Sequence, residues 1–184
     1  MKLIKLLLHC CCAPCSIQCV KVFLDEGIKP DLFWHNPNIH PLEEFNQRFQ
    51  SVKKFSESNN LNIISEEGYE IEDFIENTFL LPHPKGKNRE KSRCAYCYKT
   101  RLELCVNKAL EKGYNAFSTT LLISPYQDHD LIIKTGKELE LSSGLEFLYR
   151  DFREHFRKSQ KEAREHSYYM QKYCGCILSR EYFA

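Results

Sequence analysis

The chain has 184 residues, with 26 Lys and Arg against 25 Asp and Glu, 42% apolar residues, 7 glycines and 7 prolines. This length fits one domain with a real core. The near-zero charge balance excludes a globally basic nucleic-acid binder and an acidic solvating chain, and the composition excludes a disordered, collagenous or low-complexity protein.

The opening residues imitate an export signal, because Lys2 and Lys5 precede an apolar run. Only Leu6, Leu7 and Leu8 follow one another without interruption, whereas a secretory core needs about 7 to 15 residues. A cytoplasmic protein without a membrane segment is the expectation. Leu3 to Leu8 predicts a first strand, a cysteine-bearing loop follows, and Ser16 to Glu26 shows helical spacing at Ile17, Val20 and Phe23. Asp31 to His35 predicts a second strand. Asn36-Pro37 and His40-Pro41 mark a turn, and Leu42 to Ser58 reads as a helix. Asn62 to Ser65 predicts a third strand and Ile71 to Phe79 a short helix. Pro82, Pro84 and Gly86 break the pattern before a helix from Arg93 to Lys112. Ala116 to Ile123, rich in Thr and branched residues, predicts a fourth strand, Asp128 to Leu139 its helix, and Leu145 to Tyr149 a fifth strand. Arg153 to Lys172 is made of helix formers. Strands alternating with helices predict a single α/β domain over residues 1–184, with a mainly parallel sheet and helices on both faces. In such sheets ligands bind beyond the carboxyl ends of the strands. The first cysteine loop, Asn36 to Pro41 and Ser124 to His129 should therefore share one rim.

Ten cysteines are many for a protein of a reducing compartment, where clustered thiols point to metal or catalysis rather than disulfides. Cys19 and Cys105 occupy interior helical positions and read as small buried apolar residues. Cys11, Cys12 and Cys15, Cys94 and Cys97, and Cys174 and Cys176 form three groups in turns or at helix ends. Pairs spaced Cys-x-x-Cys or Cys-x-Cys deliver two sulfurs from one turn of backbone. Four of them would satisfy structural zinc, which would leave three thiols unexplained. A 4Fe-4S cluster also takes four thiolates, and the surplus thiols could hold a second, more open metal. Adjacent Cys11 and Cys12 would project to opposite sides of an extended loop and so serve different metals.

Five segments, LHCCCAPCS from Leu8, NPNIHPLEEFNQR from Asn36, RCAYCYKTRL from Arg93, TTLLISPYQDHDLI from Thr119 and YCGCILS from Tyr173, together resemble the cobalamin-independent epoxyqueuosine reductases. The resemblance implies reduction of epoxyqueuosine to queuosine at the wobble position of tRNA, by an oxidoreductase with a 4Fe-4S cluster, an adjacent iron or other divalent metal ion, and no cobalamin. It also implies a fold related to the nucleotide-binding, hydrolase-like α/β (HUP) proteins, with the cysteine segment in place of their phosphate loop. The Ser-Gly-Gly phosphate signature is absent. The ligand set it implies is Cys11, Cys12, Cys94, Cys97, Cys174 and Cys176, with Cys15 as a further metal ligand and Cys10 outside it. An electron donor outside this chain is also implied.

Deoxygenating an epoxide consumes two electrons and ends in water, so a positioned acid is needed. Tyr126, Asp128 and His129 on the expected rim are the candidates; Asp128 equally suits a helix N-cap. His9 reads as a buried histidine or a partner of the metal ligands. For tRNA, Lys85, Lys87, Arg89, Lys91 and Arg93 belong to a run of seven basic residues against one acidic between 85 and 101, which fits phosphate contact or a solvated loop. The basic residues from Arg150 to Arg164 are offset by acids and read equally as a salt-bridged helix face. Trp34, Tyr96, Tyr98 and Tyr126 could stack on a base, although Trp34 sits inside a strand and reads as core. Two further functions fit the residues less fully: a zinc-stapled tRNA-binding module and an ATP-dependent tRNA thiolase of the related fold.

Overall fold

A computed structural model describes residues 3–66, 68–69, 71–81, 91–176 and 179. Five strands, β1 (Leu6–His9), β2 (Asp31–Trp34), β3 (Ile63–Ser65), β4 (Ala116–Thr119) and β5 (Glu146–Phe147), form one sheet in the order β3-β2-β1-β4-β5. Every pairing is parallel. Parallel strands covered on both faces read as continuous apolar runs. Leu6, Leu7 and Leu8 of β1 are such a run, and all four residues of β1 and of β4 are buried. The helices are α1 (Ala13–Asp25), α2 (Leu42–Ser58), α3 (Glu72–Thr78), α4 (Arg93–Lys112), α5 (His129–Ser143) and α6 (Phe156–Glu165). α1 packs on α2 and α6, while α4 packs on α3 and α5, which gives one helical layer on each face of the sheet. This is the doubly wound order, compatible with the HUP relation, and its direction reverses between β1 and β4, where ligands bind in folds of this kind. No helix among the described residues is long and apolar enough to cross a membrane.

The expected elements are present, with shifted ends. α1 begins at Ala13, three residues before the expectation, because Pro14 in its first turn gives up only an amide that has no helical acceptor. β4 stops at Thr119. The Thr119 hydroxyl accepts from Leu121 N at 3.2 Å, and the branched residues Thr120–Ile123 form a buried 3-10 turn instead of more strand. α5 continues to Ser143 and ends where Gly144 takes a left-handed φ of 75°. The helix expected over Arg153 to Lys172 is divided into a 3-10 turn, Arg153–His155, and α6, and Ser167 leaves helical conformation with φ 54°. Propensity did not set that end; packing did, because Tyr168 is buried in the core and Tyr169 N donates to Ser51 Oγ of α2 at 3.1 Å.

α5 approaches β5 closely through Gly136. A Cβ there would lie 2.3 Å from the Phe147 ring, which itself packs on Phe117 at 5.1 Å between centroids. Gly136→Ala is expected to cost about 1–3 kcal/mol, the usual range for overpacking a core, despite the better helix propensity of alanine. Thermal unfolding of the variant measures this; an unchanged midpoint would mean that the ring moves freely aside.

Candidate metal centre

Because the strands are parallel, their carboxyl ends share one edge, and the first thiol group comes directly from the end of β1. The chain bends at Cys11 and enters α1 with Cys12 as the N-cap residue, whose side chain makes no cap hydrogen bond. The Cys11, Cys12 and Cys15 sulfurs lie within 4.8 Å of one another, and those of Cys11 and Cys12 are 3.8 Å apart. Cys11 and Cys12 therefore do not serve opposite sides: the corner between strand and helix brings both sulfurs together. Of the three, Cys11 is the one favoured as thiolate: burial and then Cys11 push the Cys12 thiol up, and hydrogen bonds with Cys11 and Cys12 push up that of Cys15. Cys11 N reaches Thr120 Oγ1 at 3.3 Å across the β1–β4 switch point, and the Cys11 sulfur approaches the same hydroxyl at 3.5 Å. Gln171 Nε2 donates to Cys12 Sγ at 2.9 Å and reaches Cys15 Sγ at 3.7 Å. Hydrogen bonds from Cys12 and then Cys15, helped by the Arg101 charge and the Thr120 hydroxyl, hold the Cys11 thiol well below its ordinary range.

Cys10 is turned away, with its thiol 3.3 Å from Phe33 O, and Cys105 donates to Leu7 O at 3.8 Å. Both are buried, as is Cys19, and burial pushes all three thiols up.

The second thiol group joins two distant stretches of chain. Ser92 caps α4 by accepting from Ala95 N at 3.4 Å, so Cys94 and Cys97 lie in the helix's first turns. Cys97 and Cys176 pack in a small apolar cluster with Phe74, against Tyr96. The turn between Cys174 and Cys176 requires glycine: Gly175 has φ 106°, and a Cβ on it would lie 2.8 Å from Ile39 Cγ1. Gly175 O accepts from His40 N at 2.8 Å. Burial, followed by the Cys97, Cys174 and Cys176 charges, pushes Cys94 up to about 12, so these four thiols share one electrostatic neighbourhood. Among the described residues only Cys11, Cys12 and Cys15 converge as a set of three within 4.8 Å; the second group is more open.

α2 braces this second group. Arg48 is 2% exposed, pairs with Glu44 one turn earlier at 2.6 Å, and donates to Tyr173 O at 2.9 Å and Cys174 O at 3.3 Å. Tyr169 Oη donates to the other oxygen of Glu44 at 2.5 Å, and Tyr173 Oη to His40 O.

Arg101, counted in the sequence with a basic loop, is buried between the two groups. Its guanidinium donates to Asn36 Oδ1 at 2.7 Å, to His9 Nε2 at 3.4 Å and toward Cys97 Sγ at 3.7 Å. His9 Nε2 lies between this donor and the His35 carbonyl oxygen at 3.2 Å, and Nδ1 lies 2.9 Å from Thr119 Oγ1. Burial and the Arg101 charge lower His9 to about 3, so it is neutral at pH 7. His9 is thus the buried, satisfied histidine of the plainer expectation.

The seven thiols suit a metal-bearing group. Three further polar atoms, Asn38 Oδ1, His40 Nε2 and Gln171 Oε1, are buried around them without a hydrogen-bond partner among the described residues. Native interiors leave few such atoms unpaired, and their gathering beside the cysteines fits a site whose remaining partners come with a bound group.

The proposed acids lie on the next stretch of rim. Asp128 caps α5 by accepting from Leu131 N at 3.2 Å, and its backbone N–H donates to Tyr98 Oη at 3.2 Å. Tyr98 donates to Gln127 Oε1 at 2.7 Å and feels the charges of Cys94, Cys97 and Cys174, which links this loop to the second thiol group. His129 Nε2 lies 3.2 Å from Ser124 O, its Nδ1 has no partner among the described residues, and burial lowers its pKa. Tyr126 is 79% exposed, with an edge contact to Phe156. Trp34 is core, packed on Phe45 and Phe49. Lys85, Lys87 and Arg89 lie outside the described residues; Lys91 is exposed and Arg93 half-buried.

Arg101, Arg48, Gln171 and Thr120 are the site residues that reading the sequence missed. Arg101 had a signal, because it stands four residues after Cys97 and so shares its face of α4. Gln171 and Arg48 had none.

A doubly wound parallel sheet with Cys11, Cys12 and Cys15 converging where β1 enters α1, and with a buried arginine beside them, defines an α/β protein with a candidate thiolate metal site. The family model described as epoxyqueuosine reductase QueH matches residues 6–182. The protein of that name from Dehalococcoides mccartyi is 32% identical over 95% of this chain and 92% of its own length. That from Thermotoga maritima is 31% identical over 94% and 88%. The Helicobacter pylori protein is 37% identical over 93% of this chain, which spans about half, 48%, of that longer protein. The chain belongs to the epoxyqueuosine reductase QueH family.

Proposed function

We propose that the chain, acting as one iron-sulfur domain over residues 1–184, reduces epoxyqueuosine to queuosine at the wobble position of cytoplasmic tRNA. The observation that carries this reading is the pair of thiol groups on the rim of a chain that matches the reductase family along nearly its whole length. The family match leaves the zinc-stapled module and the ATP-dependent thiolase without support.

The spacing of the sulfurs suggests their division. A single tetrahedral ion with metal–sulfur bonds of about 2.3 Å holds its sulfurs about 3.8 Å apart, which suits the tight set of Cys11, Cys12 and Cys15. A 4Fe-4S cluster, whose iron atoms separate the outer sulfurs, suits the more open set of Cys94, Cys97, Cys174 and Cys176. When bound, the cluster supplies single electrons and the lone ion Lewis acidity toward the epoxide oxygen. The reaction breaks both C–O bonds of the epoxide, forms the alkene and consumes two electrons and two protons as water leaves. An electron donor outside the chain replenishes the electrons. To Asp128, His129 and Tyr126 we assign the holding and delivery of a proton; Tyr98 ties their loop to α4, which carries Cys94 and Cys97. Burial keeps His129 neutral at neutral pH, so it delivers a proton only after taking one up. Lys85, Lys87, Arg89, Lys91 and Arg93 would hold tRNA phosphates.

Anaerobic purification with iron, sulfide and zinc analysis, followed by an assay on tRNA carrying epoxyqueuosine, tests the reading. A brown protein with about four sulfides and queuosine as product is expected. A colourless zinc protein that forms no cluster on reconstitution and leaves the epoxide intact would overturn it.

A further inference from the structure

We propose that Arg101 is a positioning residue that supplies the counter-charge shared by the two thiol groups and thereby raises the reduction potential of the metal centre. This rests on the function proposed above, and it comes from the company a buried cation keeps.

Arg101 is 3% exposed. A guanidinium does not deprotonate in proteins, and an ion removed from water must be paired. The comparison with Arg48 is direct: both are buried, but Arg48 has Glu44, whereas no carboxylate among the described residues pairs with Arg101. Its hydrogen-bond partners are a neutral amide oxygen, a neutral imidazole nitrogen and the Cys97 thiol. The groups near it that can carry negative charge are Cys97, Cys11 and Cys174, whose charges all act on it. Cys11 belongs to the tight set and Cys97 and Cys174 to the open one. Arg101 thus stands close to thiols of both groups that become anions when they bind a metal, and Asn36 fixes it there by accepting from Nη2 at 2.7 Å while donating to Cys10 O at 3.0 Å.

A metal-thiolate centre becomes more negative when it gains an electron. A fixed positive charge beside it stabilises the reduced state more than the oxidised one, so loss of that charge lowers the potential. Lysine in place of arginine keeps the charge and loses the fork that reaches Asn36 and His9. Asn36→Asp leaves Arg101 in place but sets a carboxylate against Nη2, which cancels much of its charge.

The test uses reconstituted holoprotein in four forms, wild type, Arg101→Gln, Arg101→Lys and Asn36→Asp, with iron and sulfide counted before each potentiometric titration is followed by electron paramagnetic resonance. Arg101→Gln is expected to shift the one-electron equilibrium at least tenfold toward the oxidised state, about 59 mV downward. Asn36→Asp should shift in the same direction, and Arg101→Lys should recover most of the change. A full cluster with an unchanged potential in Arg101→Gln or Asn36→Asp overturns the inference alone, because wild-type turnover is untouched. Loss of the cluster in all three variants, the charge-keeping lysine included, identifies a purely structural role and also overturns it. A wild-type protein that forms no cluster overturns the proposed function, and this inference with it.

Discussion

Cys97→Ser is expected to leave a folded protein that holds no complete iron-sulfur cluster and has lost more than about 100-fold in turnover. Changing a partner of a metal ligand already costs about 10–100-fold in affinity or activity, and loss of the ligand itself should exceed that. Cys97 is where the parts of the open thiol set meet. It comes from α4, packs on Cys176 from the far end of the chain and receives Arg101 Nη1. Serine preserves the volume but offers a harder and far less acidic ligand, so the fold should survive while iron retention does not. Iron and sulfide analysis with single-turnover nucleoside chromatography measures both losses. Cys10→Ser is the control, since that thiol faces Phe33 O and should be replaceable without loss of iron. A Cys97→Ser protein with a full cluster would remove Cys97 from the ligand set.

The second large effect is one of stability and site assembly together. Arg48→Met is expected to destabilise the protein by about 3 kcal/mol or more, the scale for removing one partner of a buried ion pair. For a chain of this size that corresponds to a fall of roughly 6–12 °C in Tm. The cause is specific. Glu44 would remain buried with only Tyr169 to satisfy it, and the carbonyls of Tyr173 and Cys174 would lose their donor. The turn bearing Cys174 and Cys176 would then be held mainly by Gly175 and His40, and metal occupancy should fall along with Tm. Glu44→Gln separates the two consequences. It leaves the buried Arg48 cation without its carboxylate, which lowers stability, yet keeps the bonds from Arg48 to the carbonyls, so occupancy should survive better than stability. Equal occupancy in Arg48→Met and wild type would show that the turn stands without its brace.

Much of this architecture was legible in the chain because it depends on local pattern. The apolar run of β1 and the alternation of strands with amphipathic helices imply a parallel sheet, and a parallel sheet implies a shared carboxyl rim. The three cysteine groups stood out by number and context, and Cys19 and Cys105 read correctly as core. The ends of elements read less well. Thr119 stops β4 with its own hydroxyl, and the stretch after Glu165 gives up helix because Tyr168 has a place in the core. Such competitions are decided by contacts with residues far away in sequence.

What the sequence determined by itself, then, is the class of fold, the edge of the sheet that bears the site and the residue types that can carry its chemistry, since these follow from hydrophobic period and cysteine spacing. Only the tertiary structure decided which thiols keep company. It set Cys11, Cys12 and Cys15 together at the corner of one helix, joined Cys97 to Cys176 across 79 residues of chain, and buried Arg101 among them. The reason is physical: a charge in the interior takes its meaning from the anions and donors within a few ångströms, and that neighbourhood exists only after the chain has closed on itself.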